Sequence, residues 1–207
     1  MERCALVFTG GKGPSRGFDK TLIPQCSYVC AADSGIDTAI DLGYTVDEAI
    51  GDFDSLKNLD MLKEIPHRRL PREKDITDTE ALLRDITSIG MESYVLVGGG
   101  EGRFDHLLHL YTLFETYGPP LLWFTARECL HMVKDSKLFS EPEHTTISVI
   151  PALARGNSFV TSTHLRWELR HFQISMLNQS ISNMSLTTHF SLQVEGAPVF
   201  VSIPFPQ

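Results

Sequence analysis

The stretch YVCAADSGIDTAIDLGYTVDEAIGDFDS, residues 28–55, decides the fold. It opens with a short apolar run, Tyr28–Ala32, that stops at Asp33. Ile36, Ala39 and Ile40 then share one face of a helix, and Gly43 ends it. Glu48–Ile50 is a second short run, followed at once by Gly51-Asp52-Phe53-Asp54-Ser55. Two buried strands joined through one helix make a right-handed crossover, the unit from which parallel sheets are built. Outward from it, Ala5–Phe8, Tyr94–Val97 and Leu121–Phe124 are runs of the same kind. Between them lie three more helical patterns. Ser55 is placed to cap a helix carrying Leu56, Leu59 and Leu62 that ends before Pro66. Thr77-x-x-Glu80 is a capping box opening a helix with Ala81, Leu82 and Ile86 inward and Gly90 beyond its end. A helix from about Phe104 carries Leu107, Leu110, Tyr111 and Phe114, and Gly118-Pro119 terminates it.

Beyond residue 126 the period changes. Leu165, Trp167 and Leu169 alternate with His164, Arg166, Glu168 and Arg170; Phe190, Leu192 and Val194 alternate likewise, as do Val199, Val201 and Ile203. Period two with polar partners indicates antiparallel strands with one solvated face. The expected fold is therefore an α/β layer domain with a mostly parallel sheet, residues 1–126, followed by a small antiparallel β-sandwich domain, residues 127–207.

Composition narrows the function. The 207 residues are 42% hydrophobic and 21% charged, with a net charge of -8. No Lys/Arg cluster forms the basic face a nucleic-acid binder needs, and no apolar run approaches the ~20 residues of a membrane span. Met1 to Cys4 lead directly into Ala5–Phe8, too short for a signal peptide. The four cysteines, Cys4, Cys26, Cys30 and Cys129, lack CxxC or metal-site spacing and are expected to be free thiols in a reducing cytoplasm. An acidic protein that binds a polyphosphate needs metal ions to offset its own field.

Its acids gather where strands give way to helices, the edge at which open α/β sheets bind ligands. Asp33 follows one run, Asp52 and Asp54 another; Asp75 and Asp78 bracket the Thr77 cap, and Asp105 lies in the first turn of its helix. Singly, each is accounted for as a cap or first-turn acid. Together they repel unless a cation sits among them, and an oxygen-only set suits Mg²⁺ or Mn²⁺. Two glycine-rich stretches, residues 10–13 and 98–103, either form tight turns or bring backbone N–H groups to phosphate; neither has P-loop or Rossmann spacing. Arg103 has the planar fork for a phosphate clamp. His106 and His109 have no third nitrogen or sulfur ligand placed by sequence, which favours surface or supporting roles over metal ligation.

Taken in order, ADSG (32–35), GDFDS (51–55), KDITDTE (74–80), GGGEGRFDH (98–106), HLRWELRHFQIS (164–175) and SISN (180–183) resemble the thiamine pyrophosphokinase family over most of the chain. The resemblance implies a homodimer with active sites between subunits, transferring diphosphate from ATP to thiamine with Mg²⁺. It implies that Asp52, Asp54 and Asp75 hold the metal and that Asp33, Ser34, Asp52, Asp54, Lys74, Thr77 and Arg103 surround the nucleotide. Asp78, Arg103 and Asp105 would lie at the reacting centre, with Asp78 or Asp105 as proton acceptor. Trp167 would stack on the aminopyrimidine while Ser182 and Asn183 hydrogen-bond to it; by its spacing alone, Trp167 is equally a core residue. Four positions depart from the family pattern: Ser34 and His164 stand where glycine is usual, His109 where asparagine is frequent, and Gly100-Glu101 is an insertion. The alternatives are a pyrophosphokinase for another alcohol, such as a pterin carbinol, and a non-catalytic nucleotide or thiamine sensor.

Overall fold

The computed structural model describes residues 3–205. Met1, Glu2, Pro206 and Gln207, at the outer ends of the two expected domains, lie outside the described residues. The chain divides into two compact units, Met1–Leu113 with Pro120–Arg127, and Phe114–Pro119 with Glu128–Gln207.

In the first unit, β1 (Cys4–Phe8), β2 (Tyr28–Ala32), β3 (Glu48–Gly51), β4 (His67–Arg69), β5 (Ser93–Val97) and β6 (Leu122–Phe124) form a parallel sheet in the order β6-β5-β1-β2-β3-β4. Strand order reverses between β1 and β5. A crevice therefore opens outside their carboxyl ends, at the switch point where ligands bind in sheets of this kind. The central strands are apolar throughout because helices cover both faces: Ala5 to Phe8 are at most 1% exposed. β4, with the sequence His-Arg-Arg, carries no apolar signal; it is an edge strand, and charge on an edge blocks further pairing.

Helix α1 (Gly35–Asp41) packs on β1 and β2, and α2 (Asp78–Ser88) on β2 and β3. Thr77 caps α2, its side chain accepting from the Glu80 amide at 3.2 Å, as the capping box predicts. The helix expected from Ser55 is instead a 3₁₀ turn, Leu59–Lys63, capped by the Asn58 side chain, and the Ser55 hydroxyl donates to Asp54. Helix α3 (Phe104–Tyr117) buries Leu110, Leu113 and Phe114.

A Cβ on Gly35 would stand 2.5 Å from the Phe8 carbonyl oxygen and 2.8 Å from the Thr9 nitrogen, so α1 meets β1 backbone to backbone. Gly35→Ala is expected to destabilise the protein by about 1–3 kcal/mol through overpacking. A thermal melt should show Tm lowered by roughly 3–10 °C; an unchanged Tm would mean this approach is looser than it looks.

In the second unit, β7 (Glu128–Val133), β8 (Ser136–Ser140), β9 (Thr146–Pro151), β10 (Ser158–Thr163), β11 (Phe172–Ile174), β12 (Ser180–Met184), β13 (His189–Gly196) and β14 (Val199–Pro204) pair antiparallel as β12-β9-β14-β7 and β11-β10-β13-β8. Side chains of both groups, among them Val149, Val160, Ile174, Phe190, Leu192 and Val201, share one core, which makes this unit a two-layer sandwich. β14 differs from its expected one-sided pattern: Phe200 and Ser202 are buried as well as Val199 and Val201, because β7 and β9 flank it and Phe114 covers Phe200 at 5.9 Å between ring centroids. Residues 164–170 are not a strand. His164 (φ 64°) and His171 (φ 50°) bend the chain into a loop that buries Leu165 and Leu169 and turns Trp167 outward.

Candidate functional site

A cavity of roughly 640 Å³ lies at the carboxyl edge of the parallel sheet. One wall consists of the two glycine-rich loops that diverge at the switch point after β1 and β5. The loops meet through their backbones: the Gly99 amide donates to the Gly10 carbonyl at 2.9 Å, and the Lys12 amide to the Gly100 carbonyl at 2.6 Å. Gly98 has φ +100°, and its Cβ would lie 2.3 Å from the Thr9 carbonyl oxygen, so no other residue fits there. The inserted Glu101 locks the pair, accepting from Lys12 at 3.0 Å and from Arg127. The remaining wall includes Asp33 and Ser34 after β2, Lys74, Ile76, Thr77, Asp78 and Thr79 before and within α2, and His106, His109 and Leu110 on α3.

Parallel pairing of β2 with β3, in the register Ala32↔Ile50, carries Asp33 alongside the acids after β3; the Asp33 amide donates to the Ile50 carbonyl at 2.9 Å. One carboxylate oxygen from each of Asp33, Asp52 and Asp54 lies within 4.8 Å of the others. Asp33 thus joins the expected Asp52 and Asp54 in one acidic group, which among the described residues does not include Asp75. Asp75 sits in the loop leading to Thr77, where it is exposed and does not line the cavity. Among the described residues, Asp33 Oδ1 is buried without a hydrogen-bond partner. Burial pushes the Asp33 carboxyl above its usual range, and the charges of Asp78, Asp52 and Asp54 push the same way, against a hydrogen bond from the Ser34 backbone. An orphaned buried oxygen among all-oxygen donors fits a hard divalent cation.

Two cations already serve these acids. Lys74, with a side chain only 13% exposed, stands 3.6 Å from Asp52 and 3.2 Å from Asp78, and Arg72 pairs with Asp54 at 3.0 Å. Burial raises the Asp78 carboxyl, which Lys74 partly offsets. Arg103 forms a two-pronged pair with Asp105, at 3.1 and 2.5 Å, and this holds the Asp105 carboxyl below its usual range. Both groups are exposed, so solvent screens the pair. Thr77 Oγ1 also meets His109 Nε2 at 3.3 Å, and His109 lies 3.7 Å from Glu80, a supporting position on the cavity wall. Ser34, in place of a glycine, has an ordinary φ of −62°; the left-handed residue is Asp33, at φ 44°.

In the second unit, Trp167 is 56% exposed, with the Arg166 guanidinium 5.0 Å over its ring. It is not a core residue. His164, another substitute for glycine, holds a left-handed φ of 64°. Asn183 is 2% exposed and its side chain is spent on backbone: Oδ1 accepts from Trp167 N at 3.2 Å and Met184 N at 2.8 Å, and Nδ2 donates to the Trp167 carbonyl at 2.7 Å. Ser182 is exposed at the irregularity in β12, with φ 56° and its amide donating to Ser148 Oγ.

Residues 20–119 match the family described as thiamin pyrophosphokinase, catalytic domain. Among solved structures, a thiamin pyrophosphokinase family protein from Enterococcus faecalis superposes with a TM-score of 0.75 at 20% identity, covering 100% of both chains. Thiamine pyrophosphokinase from Bacillus subtilis gives 0.76 at 19% identity, covering 99% of this chain and 100% of that one. The yeast enzyme gives 0.70 at 16%, covering 99% and 87%. No curated protein sequence matches the chain. Among the described residues, no helix is long and apolar enough to cross a membrane.

Proposed function

Residues 20–119 match the thiamin pyrophosphokinase catalytic domain, and from that premise we propose that this chain is a member of the family and transfers a diphosphate group from ATP to the hydroxyl of thiamine, releasing AMP. The observation that carries the reading is the Asp33–Asp52–Asp54 group, of which Asp33 lines a cavity walled by glycine loops. These three acids would hold Mg²⁺. When bound, the metal supplies charge neutralisation for the nucleotide phosphates.

The chain's own groups do the rest. The loop backbones at Gly10, Gly11 and Gly99 let phosphate approach closely, and Arg103 exchanges Asp105 for a phosphate oxygen. Lys74 holds Asp52 and Asp78 in place. As the thiamine hydroxyl attacks the β-phosphorus, its proton passes to a carboxylate. Of the two candidates, Asp78 is the better acceptor, because burial raises its basicity while Arg103 lowers that of Asp105. Catalysis is then mainly alignment and charge stabilisation.

The sandwich unit would bind thiamine through Trp167. Asn183 acts by fixing the Trp167 peptide rather than by reaching the ring, which leaves Ser182 as the side chain offering a hydrogen bond. Exposed Trp167, Met176, Leu177 and Ile181 on this unit support a homodimer in which a second copy covers apolar surface. Trp167→Ala is expected to raise KM for thiamine roughly 2- to 30-fold, the worth of one stacking and cation–π contact, while KM for ATP stays put. A normal thiamine KM would remove Trp167 from the site.

One assay tests the whole reading. With ATP, Mg²⁺ and thiamine, thiamine diphosphate and AMP should appear in equal amounts. Formation of ADP overturns diphosphate transfer; AMP formed only with a pterin carbinol selects the other alcohol; and nucleotide binding without AMP leaves a sensor.

A further inference from the structure

Outside the cavity, two cysteines from different strand ends come together. Cys4 begins β1, and Cys26 lies just before β2, 22 positions along the chain. The Ser27 amide donates to the Cys4 carbonyl at 3.0 Å, which fixes the two segments side by side, and the Sγ atoms stand 3.0 Å apart. Both residues are half-buried, whereas Cys30 and Cys129 are buried. We infer that Cys4 and Cys26 form an oxidative modification site, closing to an intramolecular disulfide under a peroxide.

The chemistry balances without a further reagent. The Cys4 thiolate attacks one oxygen of hydrogen peroxide, the O–O bond breaks, and a sulfenic acid and hydroxide form. Cys26 Sγ then attacks the sulfenic sulfur; an S–S bond forms, and the hydroxyl leaves as water with the thiol proton. Each sulfur loses one electron, and the peroxide becomes two waters. The sulfurs already lie within about 1 Å of bonding distance.

The surroundings set the character of the bond. Burial, reinforced by Cys4, pushes the Cys26 thiol well above the usual range. A thiol of high pKa attacks slowly but is a poor leaving group once bonded. The bridge therefore forms slowly, faster with rising pH, and is reduced slowly by monothiols, though a dithiol that cyclises can open it. It also closes residues 5–25 into a loop, and that loop includes Thr9, Gly10 and Gly11 of the cavity wall at the far end of β1. Oxidation thus anchors that wall from its other end.

The test uses the full chain. Treat it with hydrogen peroxide, count free thiols in denaturant, and map peptides without reductant. Two of the four thiols should disappear, with one peptide pair linked through Cys4 and Cys26. Tm should rise by about 5–10 °C, as expected for closing a loop of this size, and dithiothreitol should reverse the rise. Cys26→Ser should show no internal link and no rise. Unchanged thiol count, a link between other cysteines, a covalent dimer in place of the internal bridge, or a linked protein of lower Tm overturns the inference. Because wild-type mapping decides, misfolding of the variant does not obscure the result, and no outcome depends on the transfer activity.

Discussion

Asp33→Asn is expected to lower diphosphate transfer by at least about 100-fold and to leave the metal-free protein as stable as before, or more so. The two effects have one cause. Among the described residues Asp33 Oδ1 is buried without a partner, and one oxygen of the same carboxylate lies within 4.8 Å of one from each of Asp52 and Asp54. Its pKa in the folded chain lies above the ordinary carboxylate value, first through burial and then through its acidic neighbours. Between the two values the native state binds more protons than the unfolded one, so stability falls as pH rises through that window. At neutral pH the ionised Asp33 therefore costs stability that only a bound cation returns. Asparagine keeps the shape, removes the charge, and tolerates the left-handed φ of 44°. Thermal melts in chelator from pH 4 to 8 should slope downward for the wild type and be flatter for Asp33→Asn, and added Mg²⁺ should raise Tm in the wild type alone. Wild-type turnover in the variant, or a metal-free Tm several degrees lower, would remove Asp33 from the metal group.

Asp33 also shows how far a sequence reaches. The parallel strands were legible because both faces of each are covered, so Ala5–Phe8 or Tyr94–Val97 is apolar without interruption. The acids at their ends were legible by position. Which acids meet was not, because that depends on strand order: β2 and β3 are neighbours, so Asp33 joins Asp52 and Asp54. The expectation that depended most on periodicity alone failed at residues 164–170, where left-handed turns at both ends produce burial at Leu165 and Leu169 without a strand. Asn183 has the polarity of a ligand contact, but only coordinates reveal that its amide is committed to Trp167 and Met184. The Cys4–Cys26 approach left no mark on spacing at all.

Lys74→Met carries the second large effect, since Lys74 is the more enclosed of the two cations that serve this acidic group. Its ammonium, nearly enclosed, faces Asp52 and Asp78 and also donates to the Pro71 carbonyl at 3.2 Å. Removing it leaves two carboxylates facing Asp33 and Asp54 with less to balance them. Breaking a fully buried pair costs about 3–5 kcal/mol; for acids that retain some exposure, a loss of about 1–3 kcal/mol is expected, or roughly 3–10 °C in Tm. Turnover should fall by about 100-fold or more as Asp52 and Asp78 lose their positions. The metal response separates this from ordinary damage. A divalent cation and an ammonium compete for the same oxygens, so Mg²⁺ should raise Tm more in Lys74→Met than in the wild type. In Asp33→Asn the rise should vanish. If both variants respond to Mg²⁺ as the wild type does, the acids do not share one ion, and the carboxylates and the lysine form only a structural network.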